Sequence, residues 1–240
     1  MKKYLLFVVI CFVIGCSNDK INNPMDEKLY GEVKEIHTYS FEMKDSLNIN
    51  NKEKIWYDKV VDSFDISGNK IKETSFWNKI DINDDDLKYK LFFSSKVNYD
   101  YDKKMKLVNA KLIFESEKLG GKYDYEFVND TTILINYFNG DNNLESKFVN
   151  FLDKDGLIYN STSLNRDSVK IMSQKINFNS KGFIVKTVNK DSLERVIVNS
   201  KHLLLKFDKN GNWIKKYIFS TSPTFNFNQI IIRDIFYYNN

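Results

Sequence analysis

The sequence predicts an all-β fold, specifically an antiparallel meander of successive hairpins in a single domain. Three observations support it: a recurrent turn motif, alternating apolar and polar residues between turns, and weak helical periodicity after residue 29. In the motif, an Asp or Asn caps the backbone at the first position of a type I turn, and a Gly accepts a positive φ at the fourth. It occurs at residues 65–68, 153–156, 179–182 and 208–211.

The residues around these turns predict hairpins. Each motif follows a Phe or Leu and precedes an Ile within three residues, which is the pattern of strand, turn and strand. A second class of turn pairs an Asp with a Ser or Thr ahead of an expected strand, at Asp45, Asp130, Asp167 and Asp191. In the C-terminal half the two classes alternate every 12 to 17 residues, a spacing too short for a helix between strands.

The segments between turns have strand character. "KYDYEFV" alternates aromatic and acidic residues, and "SLERVIVNS" and "IIIRDIFYY" are rich in β-branched and aromatic side chains. The best helical candidate is the stretch from Lys88 to Val97.

The N-terminus has the layout of a secretory signal. Lys2 and Lys3 precede an apolar run from Tyr4 to Ile14, which is too short to span a membrane as a helix, and the chain then turns polar. We therefore expect a signal peptide over residues 1–15, a flexible tether over 16–28 and an antiparallel β domain over 29–240. A tether of that length reaches about 20 Å.

The end of the apolar run, "VIGC" at residues 13–16, resembles the lipobox of bacterial lipoproteins. The resemblance implies a lipid (diacylglycerol and palmitate) on Cys16, cleavage before that residue and a membrane partner through the lipid. Ser17 after the cysteine implies sorting to the outer membrane, so the expected location is the cell envelope. The alternative is an ordinary signal peptide in which Cys16 is a buried cysteine and cleavage falls elsewhere.

Cysteine count and charge exclude several classes of function. The chain has two cysteines, Cys11 inside the expected signal and Cys16 at the lipid site, so the mature protein would have no disulfide and no free thiol. Removing Lys2 and Lys3 with the signal lowers the formal net charge from +4 to +2. No basic stripe of the kind that binds nucleic acid is present in the sequence, so we expect no nucleic-acid partner.

Four stretches resemble the YD-type hairpin repeats of RHS proteins and of many bacterial lipoproteins: "FDISGNKIKETSF", "YDYDKKMKLVNAKL", "INFNSKGFIVKTV" and "KFDKNGNWIKKYIF". Their intervals are irregular, and Phe64, Phe178 and Phe207 stand where the repeat has Tyr. The resemblance implies stacked hairpins and no particular activity. With so few repeats we do not expect the closed shell of full RHS proteins.

The sequence contains no motif that indicates a catalytic residue, a metal site or a cofactor. His37 and His202 are isolated and are interpreted as ordinary strand residues. In "DINDDDLKY", Asp81, Asn83 and Asp85 imitate a calcium loop, but Asp86 replaces the required Gly and Phe92 the required Glu. A solvated acidic loop is the better interpretation.

The aromatic residues leave two interpretations open. Trp56, Tyr57, Phe76, Trp77, Trp213 and the tail 236–238 could line a face that binds carbohydrate or peptide, but core packing is the commoner use of such side chains. We expect a lipid-anchored envelope protein that is a non-catalytic binding or structural module, with a protein or glycan partner. The alternatives are a tethered hydrolase acting on glycan or peptide, and a surface immunity or adaptor protein for a secreted partner.

Overall fold

The computed structural model describes residues 27–42, 58–80, 89–114, 119–223 and 226–238. Within these ranges all regular structure is β-strand, in fourteen strands. No helix long and apolar enough to cross a membrane occurs among the described residues. The strands are β1 (Val33–Glu42), β2 (Asp58–Phe64), β3 (Lys70–Ile80), β4 (Tyr89–Tyr101), β5 (Leu107–Phe114), β6 (Leu119–Asn129), β7 (Thr132–Asn139), β8 (Leu144–Leu152), β9 (Ile158–Asn165), β10 (Lys170–Phe178), β11 (Ile184–Asp191), β12 (Val196–Phe207), β13 (Trp213–Thr221) and β14 (Asn226–Tyr237).

The strands form one antiparallel meander, which confirms the predicted fold class. Every strand pairs with its neighbours in sequence, and β1 also pairs with β14, so the sheet closes into a barrel. The closing register opposes Ile36 to Ile235 and Phe41 to Ile230. Closure is the feature that the sequence pattern did not predict, because it depends on a pairing between the first and last strands and leaves no local signature.

Eight turns share one hydrogen-bond pattern. In each, the first residue donates its N–H to the carbonyl four residues on, and the fourth residue donates its N–H back to the first carbonyl. The fourth residue has positive φ, as in a type I turn followed by a bulge. Gly fills that position in the turns that begin at Asp65, Asp153, Asn179 and Asp208.

The other four turns have the same geometry without Gly. The residues at positive φ are Met105, Asn142, Ser168 and Glu194. Two sites of the expected second turn class therefore belong to the first class, because their turns run from Asn165 and from Asp191. At Asp130 the cap is the side chain of Asn129, and Asp45 lies outside the described residues.

The prediction of a helix at residues 88–97 is wrong. Residues Tyr89–Tyr101 form β4, which pairs with β3 on one side and β5 on the other. Pairing on both sides outweighs a weak local preference. The four YD-like stretches each form a hairpin, namely β2–β3, β4–β5, β10–β11 and β12–β13.

The barrel has two different ends. We call the end where β1 begins the strap end, and because the strands alternate in direction the turns that follow β2, β4, β6, β8, β10 and β12 also lie there. The opposite end, which we call the mouth end, has the turns 139–143, 165–169 and 191–195. The buried apolar side chains inside the barrel are concentrated near the strap end: Val33, Ile36, Phe64, Leu107, Ala110, Ile133, Ile135, Leu152, Leu157, Ile176, Phe183 and Trp213.

A short segment ahead of β1, residues 27–32, lies across the strap end, and we call it the strap. Lys28 donates its N–H to the carbonyl of Gly182 at 3.1 Å. Tyr30 and Asn212 exchange two hydrogen bonds, at 2.8 and 2.7 Å. Among the described residues, Glu27 and Lys28, which the sequence assigns to the tether, contact the barrel. The expected signal and the rest of the expected tether lie outside the described residues.

Replacing Gly211 by Val should lower the free energy of unfolding by about 1 to 3 kcal/mol. Gly211 has a φ of 89°, and no atom lies within 4 Å of the place a Cβ would take, so the loss comes from backbone strain and not from a clash. Urea unfolding followed by circular dichroism measures it.

The matched control is Met105→Gly, at the same turn position with a φ of 58°. This change should raise the free energy of unfolding by about 0.5 to 1 kcal/mol, because it removes left-handed strain from a side chain that is exposed. Equal effects of the two substitutions, in sign and size, would contradict the strain explanation.

Candidate functional site

Closure of the sheet gives every strand an inner and an outer face. Residues directly opposite each other on paired strands share a face. One inner row runs Tyr99, Ala110, Tyr123, Tyr137 and Ser146 across β4 to β8. The outer face carries charged pairs, such as those that join Lys111 to Asp100 and Lys122 to Asp124.

The interior near the strap end is built around the carboxylate of Glu27, which is 8% exposed. Glu27 accepts hydrogen bonds from Trp213 Nε1 at 2.9 Å and from the N–H of Ile184 at 3.1 Å. It also pairs with Arg233 at 3.1 Å and with Lys216 at 3.6 Å. The strap is therefore fixed to β11, β13 and β14 through one side chain.

The electrostatics of this group follow from burial. Burial alone would raise the pKa of Glu27, but the charges of Lys216 and Arg233 and two N–H donors lower it overall. Burial lowers the pKa of Lys216 to about 8, against the attraction of Glu27. Arg233 and Lys216 also stack on Trp213, 3.6 and 4.1 Å from the ring centroid.

A second ionic group lies beside the first, on β2 to β4. Lys70 Nζ is 2.6 Å from Asp62 Oδ1 and 2.5 Å from Glu73 Oε2. Burial lowers the pKa of Lys70, but Asp62, Tyr99 and Glu73 outweigh it and raise that pKa overall. The charge of Arg233 also acts on Asp62, which links the two groups. Together they hold three acids and three bases, so the network is neutral.

The interior changes character toward the mouth end. Tyr123 and Tyr137 lie there with ring centroids 4.8 Å apart, and both are half-buried. Half-buried hydroxyl and amide side chains occupy the inner positions on the remaining wall: Thr38, Ser40, Ser146, Ser161, Ser163, Gln174, Asn189, Ser220 and Gln229. Because these side chains keep access to water inside a closed sheet, the inner side chains do not fill this half of the barrel.

The described part of the barrel is therefore a cup. Its floor, at the strap end, consists of the apolar core, the strap and the neutral ionic network. Its inner wall is aromatic on one side and rich in hydroxyl and amide groups on the other. Eight strands enclose a space that side chains just fill, and fourteen enclose a wider one. A concave site with a few convergent polar groups is the usual form of a small-molecule site.

His202 faces the interior next to Lys216, since it opposes Ile218 of the core. Neither ring nitrogen has a hydrogen-bond partner within the described residues. Burial lowers the pKa of His202 to about 4, and the charge of Lys216 adds to that effect. His202 is therefore neutral at ordinary pH, consistent with its interpretation as an ordinary strand residue.

The other residues noted in the sequence do not come together. His37 lies on the outer face of β1, 2.5 Å from Glu35. Trp213 is fully buried in the floor, whereas Trp77 and Phe236 are exposed on different strands. Cys16, the acidic loop at Asp81–Asp86 and the pair Trp56 and Tyr57 lie outside the described residues. No group of His, Cys, Asp and Glu within the described ranges could hold a metal ion.

The sequence interpretation missed the ionic floor. Its one visible signal was charge at inward positions of otherwise apolar strands, Arg233 in "IIIRDIFYY" and Lys216 in "WIKKYIF". Assigning those positions to the inside requires the register of the closed sheet. Glu27 carried no signal, because its partners are 157 to 206 residues away.

The outer face has one apolar strip, across β12, β13, β14 and β1. Phe41, Ile230 and Ile232 are buried there among Tyr39 and Tyr217. Leu203, Leu205 and Phe219 continue the strip and are 40 to 52% exposed. Neighbouring outer positions of β12, β13, β14 and β1 contribute to this strip.

Comparison with known proteins finds no matching family model and no matching curated protein. Three solved structures resemble the fold: a porin-like protein from Bacteroides uniformis (9% identity, 89% of this chain and 100% of that chain, TM-score 0.46), a domain named for outer membrane lipoprotein sorting from Vibrio parahaemolyticus (8%, 88% and 87%, 0.33) and a DUF1329 family protein from Desulfovibrio piger (7%, 87% and 87%, 0.30). With TM-scores below 0.5, these similarities carry no argument about function.

Replacing Glu27 by Gln should lower the free energy of unfolding by about 3 to 5 kcal/mol, because it leaves Lys216 and Arg233 buried without their counter-charge. Glu32→Gln, on the exposed part of the same strap, is the control and should change it by less than about 0.5 kcal/mol. Chemical denaturation measures both. A loss no larger than that of the control would contradict the role given to Glu27.

Stability should fall as pH is lowered from about 6.5 to about 4, in part through His202. Its pKa is about 4 in the folded protein and 6.5 when unfolded, so the unfolded chain takes up the proton first. Allowing for the exposed part of the ring, we expect His202 to lower the free energy of unfolding by about 1 to 3 kcal/mol over this pH range. His202→Gln should flatten this part of the stability curve. An unchanged slope in His202→Gln would contradict the assignment.

Proposed function

We propose that the chain is a lipid-anchored envelope protein that binds a small, hydroxyl-rich ligand such as a glycan fragment inside the cup, without chemical conversion. One observation carries the proposal. The inner wall above the floor has water-accessible tyrosine rings on one side and hydroxyl and amide groups on the other. A concave wall with a few convergent polar groups is the usual form of a small-molecule site.

The chemistry of the wall matches an uncharged polar ligand. Tyr123 and Tyr137 offer flat apolar faces with a polar hydroxyl at the edge, which suits the apolar face of a sugar ring. Gln174 offers a donor and an acceptor, and the serine hydroxyls can do either. The charges of the floor balance one another in pairs, so they give the interior little net charge with which to select an ion.

The anchor is part of the proposal. A lipid on Cys16 and a tether up to the strap would hold the cup at a membrane surface, in the outer membrane if the sorting rule for Ser17 applies. Charged pairs on the outer wall, such as Lys111 with Asp100, support a barrel surrounded by water. Display of a binding site at a membrane requires no catalytic group.

The alternative of a tethered hydrolase has one observation in its favour. Asp58 lies on the inner face near the mouth, opposite Ser40, and burial raises its pKa. A carboxyl group of this kind can act as a general acid. Asp62 and Glu73 are less suited to that role because Lys70 holds both.

Replacing Cys16 by Ala should abolish membrane association and lead to accumulation of the uncleaved precursor. The reason is that the thiol is the attachment atom for the lipid in the proposed anchor. Fractionation of cells and metabolic labelling with a clickable fatty acid measure the two effects. Labelling that continues undiminished in the variant would rule out Cys16 as the attachment site.

Ligand binding should depend on the inner wall. Tyr137→Ala should weaken binding of a glycan identified on an array of envelope oligosaccharides by about tenfold or more, and Phe138→Ala, which faces outward on the same strand, should not. Isothermal titration calorimetry measures the affinity. Turnover of the glycan that is lost in Asp58→Asn would instead support the hydrolase.

Pull-downs with two variants test the adaptor alternative. A partner protein that binds the outer apolar strip should be lost from Phe219→Ser and retained by Tyr137→Ala in pull-downs from intact envelopes. That result, with no binding on the array, would overturn the proposed site inside the cup.

A further inference from the structure

The turns at the strap end differ in charge from those at the mouth end. Four of the six turns at the strap end present exposed lysines at their tips. These are Lys103, Lys104, Lys154, Lys181 and Lys209. Lys28 on the strap and Lys34 at the start of β1 are exposed at the same end.

The three described turns of the mouth end have no lysine at their tips. The second to fourth positions of those turns are Gly140, Asp141, Asn142, Arg166, Asp167, Ser168, Ser192, Leu193 and Glu194. Asp141, Asp167 and Glu194 are exposed there, against one exposed Arg. The four lysine-bearing turns of the strap end and the three described turns of the mouth end share one backbone geometry. They therefore differ in their side chains and not in their backbone.

Three exposed acids at the strap end, Asp130 and Asp155 at turn tips and Glu32 on the strap, offset part of its positive charge and leave seven exposed lysines against three acids. The aspartates that open the turns fold back and accept backbone N–H groups, as Asp208 Oδ1 does from Asn210 at 3.0 Å and from Asn212 at 2.9 Å. The lysines occupy the second or third position of their turns and are exposed. The tips of the strap-end turns therefore carry a net positive charge, five lysines against two exposed acids.

We propose that the strap end rests on a surface of anionic lipid headgroups, with the mouth of the cup pointing away from the membrane. The inference rests on the lipid at Cys16 that is part of the proposed function. Lysines close to an anionic lipid surface are each attracted to it, and the attraction is screened by salt. Docking through the turn tips leaves the inner wall open to ligand.

The geometry of the tether favours the same orientation. The backbone at Glu27 and Lys28 lies at the level of Gly182 and Ile184, that is, at the rim of the strap end. Ten residues lie between Cys16 and Glu27, and a flexible segment of that length spans about 17 Å on average. A strand such as β13, nine residues long and tilted, gives the wall a height of about 23 Å. Placing the mouth against the membrane would require the tether to run back along the whole wall.

The test uses the lipidated protein, reconstituted into phosphatidylcholine vesicles with or without phosphatidylglycerol. Ser180→Cys and Ser192→Cys place a dye at the second position of a strap-end turn and of a mouth-end turn, and both serines are exposed. A nitroxide on the lipid headgroups quenches a dye that lies near the membrane. We expect stronger quenching at position 180 than at 192 in anionic vesicles, and loss of the difference in high salt.

Two charge-matched variants identify the surface responsible. Replacing four turn lysines by Gln, at positions 103, 154, 181 and 209, should abolish the difference between the two dyes. Replacing four outward wall lysines by Gln, at positions 111, 175, 186 and 201, removes the same net charge and should leave the difference intact. Equal quenching of the two dyes in the unaltered protein, or equal loss in both variants, would overturn the proposed docking surface.

Mass spectrometry of the purified protein separates this inference from the one on which it rests. A Cys16 without diacylglycerol would overturn the anchor, and with it the proposed orientation. A lipidated Cys16 with equal quenching at both ends would overturn the orientation alone. Stronger quenching at position 192 would place the mouth against the lipid and contradict the proposal directly.

Discussion

The carboxylate of Glu27 is the contact on which the closed end of the barrel depends. It joins a segment ahead of the first strand to β11, β13 and β14 and supplies the negative charge that lets Lys216 and Arg233 lie inside. Charges buried in a sheet are tolerated only when they are paired and hydrogen-bonded. With Asp62, Lys70 and Glu73 beside them, three acids balance three bases, and the apolar core packs around a neutral group.

This balance divides the interior into two regions with different roles. The floor is dense, and its carboxylates and cations pair with one another inside the apolar core. The wall above it, from Tyr123 and Tyr137 round to Gln174 and Asn189, keeps contact with water. The proposed binding site uses the wall, and the paired charges and apolar core of the floor lie beneath it.

Much of the fold could be predicted from local sequence, and most of the site could not. The Asx-x-x-Gly turns at 65, 153, 179 and 208 identified hairpins because one residue type is required at one backbone angle. Met105 and Glu194 hold the same angle without Gly, so their turns carried a weaker signal. Glu27, Asp62 and Arg233 meet only because β1 pairs with β14, and no local pattern encodes a pairing of the two outermost strands.

The topology also sets where chain entropy opposes the structure. Thirteen of the fourteen strand pairings join neighbours in sequence, so each closes a short loop, whereas Val33 and Tyr237 meet across about two hundred residues. Closing a flexible loop of that length costs about 5 kcal/mol in chain entropy. Prior formation of the hairpins shortens the effective loop and so lowers this cost. Among the strand pairings, the entropy cost of joining distant residues therefore falls on one seam, the pairing of β1 with β14. The strap crosses the end of that seam, where Tyr238 donates its N–H to the carbonyl of Glu32. The two ends of the folded chain are therefore fastened to each other at the rim from which the proposed tether leaves.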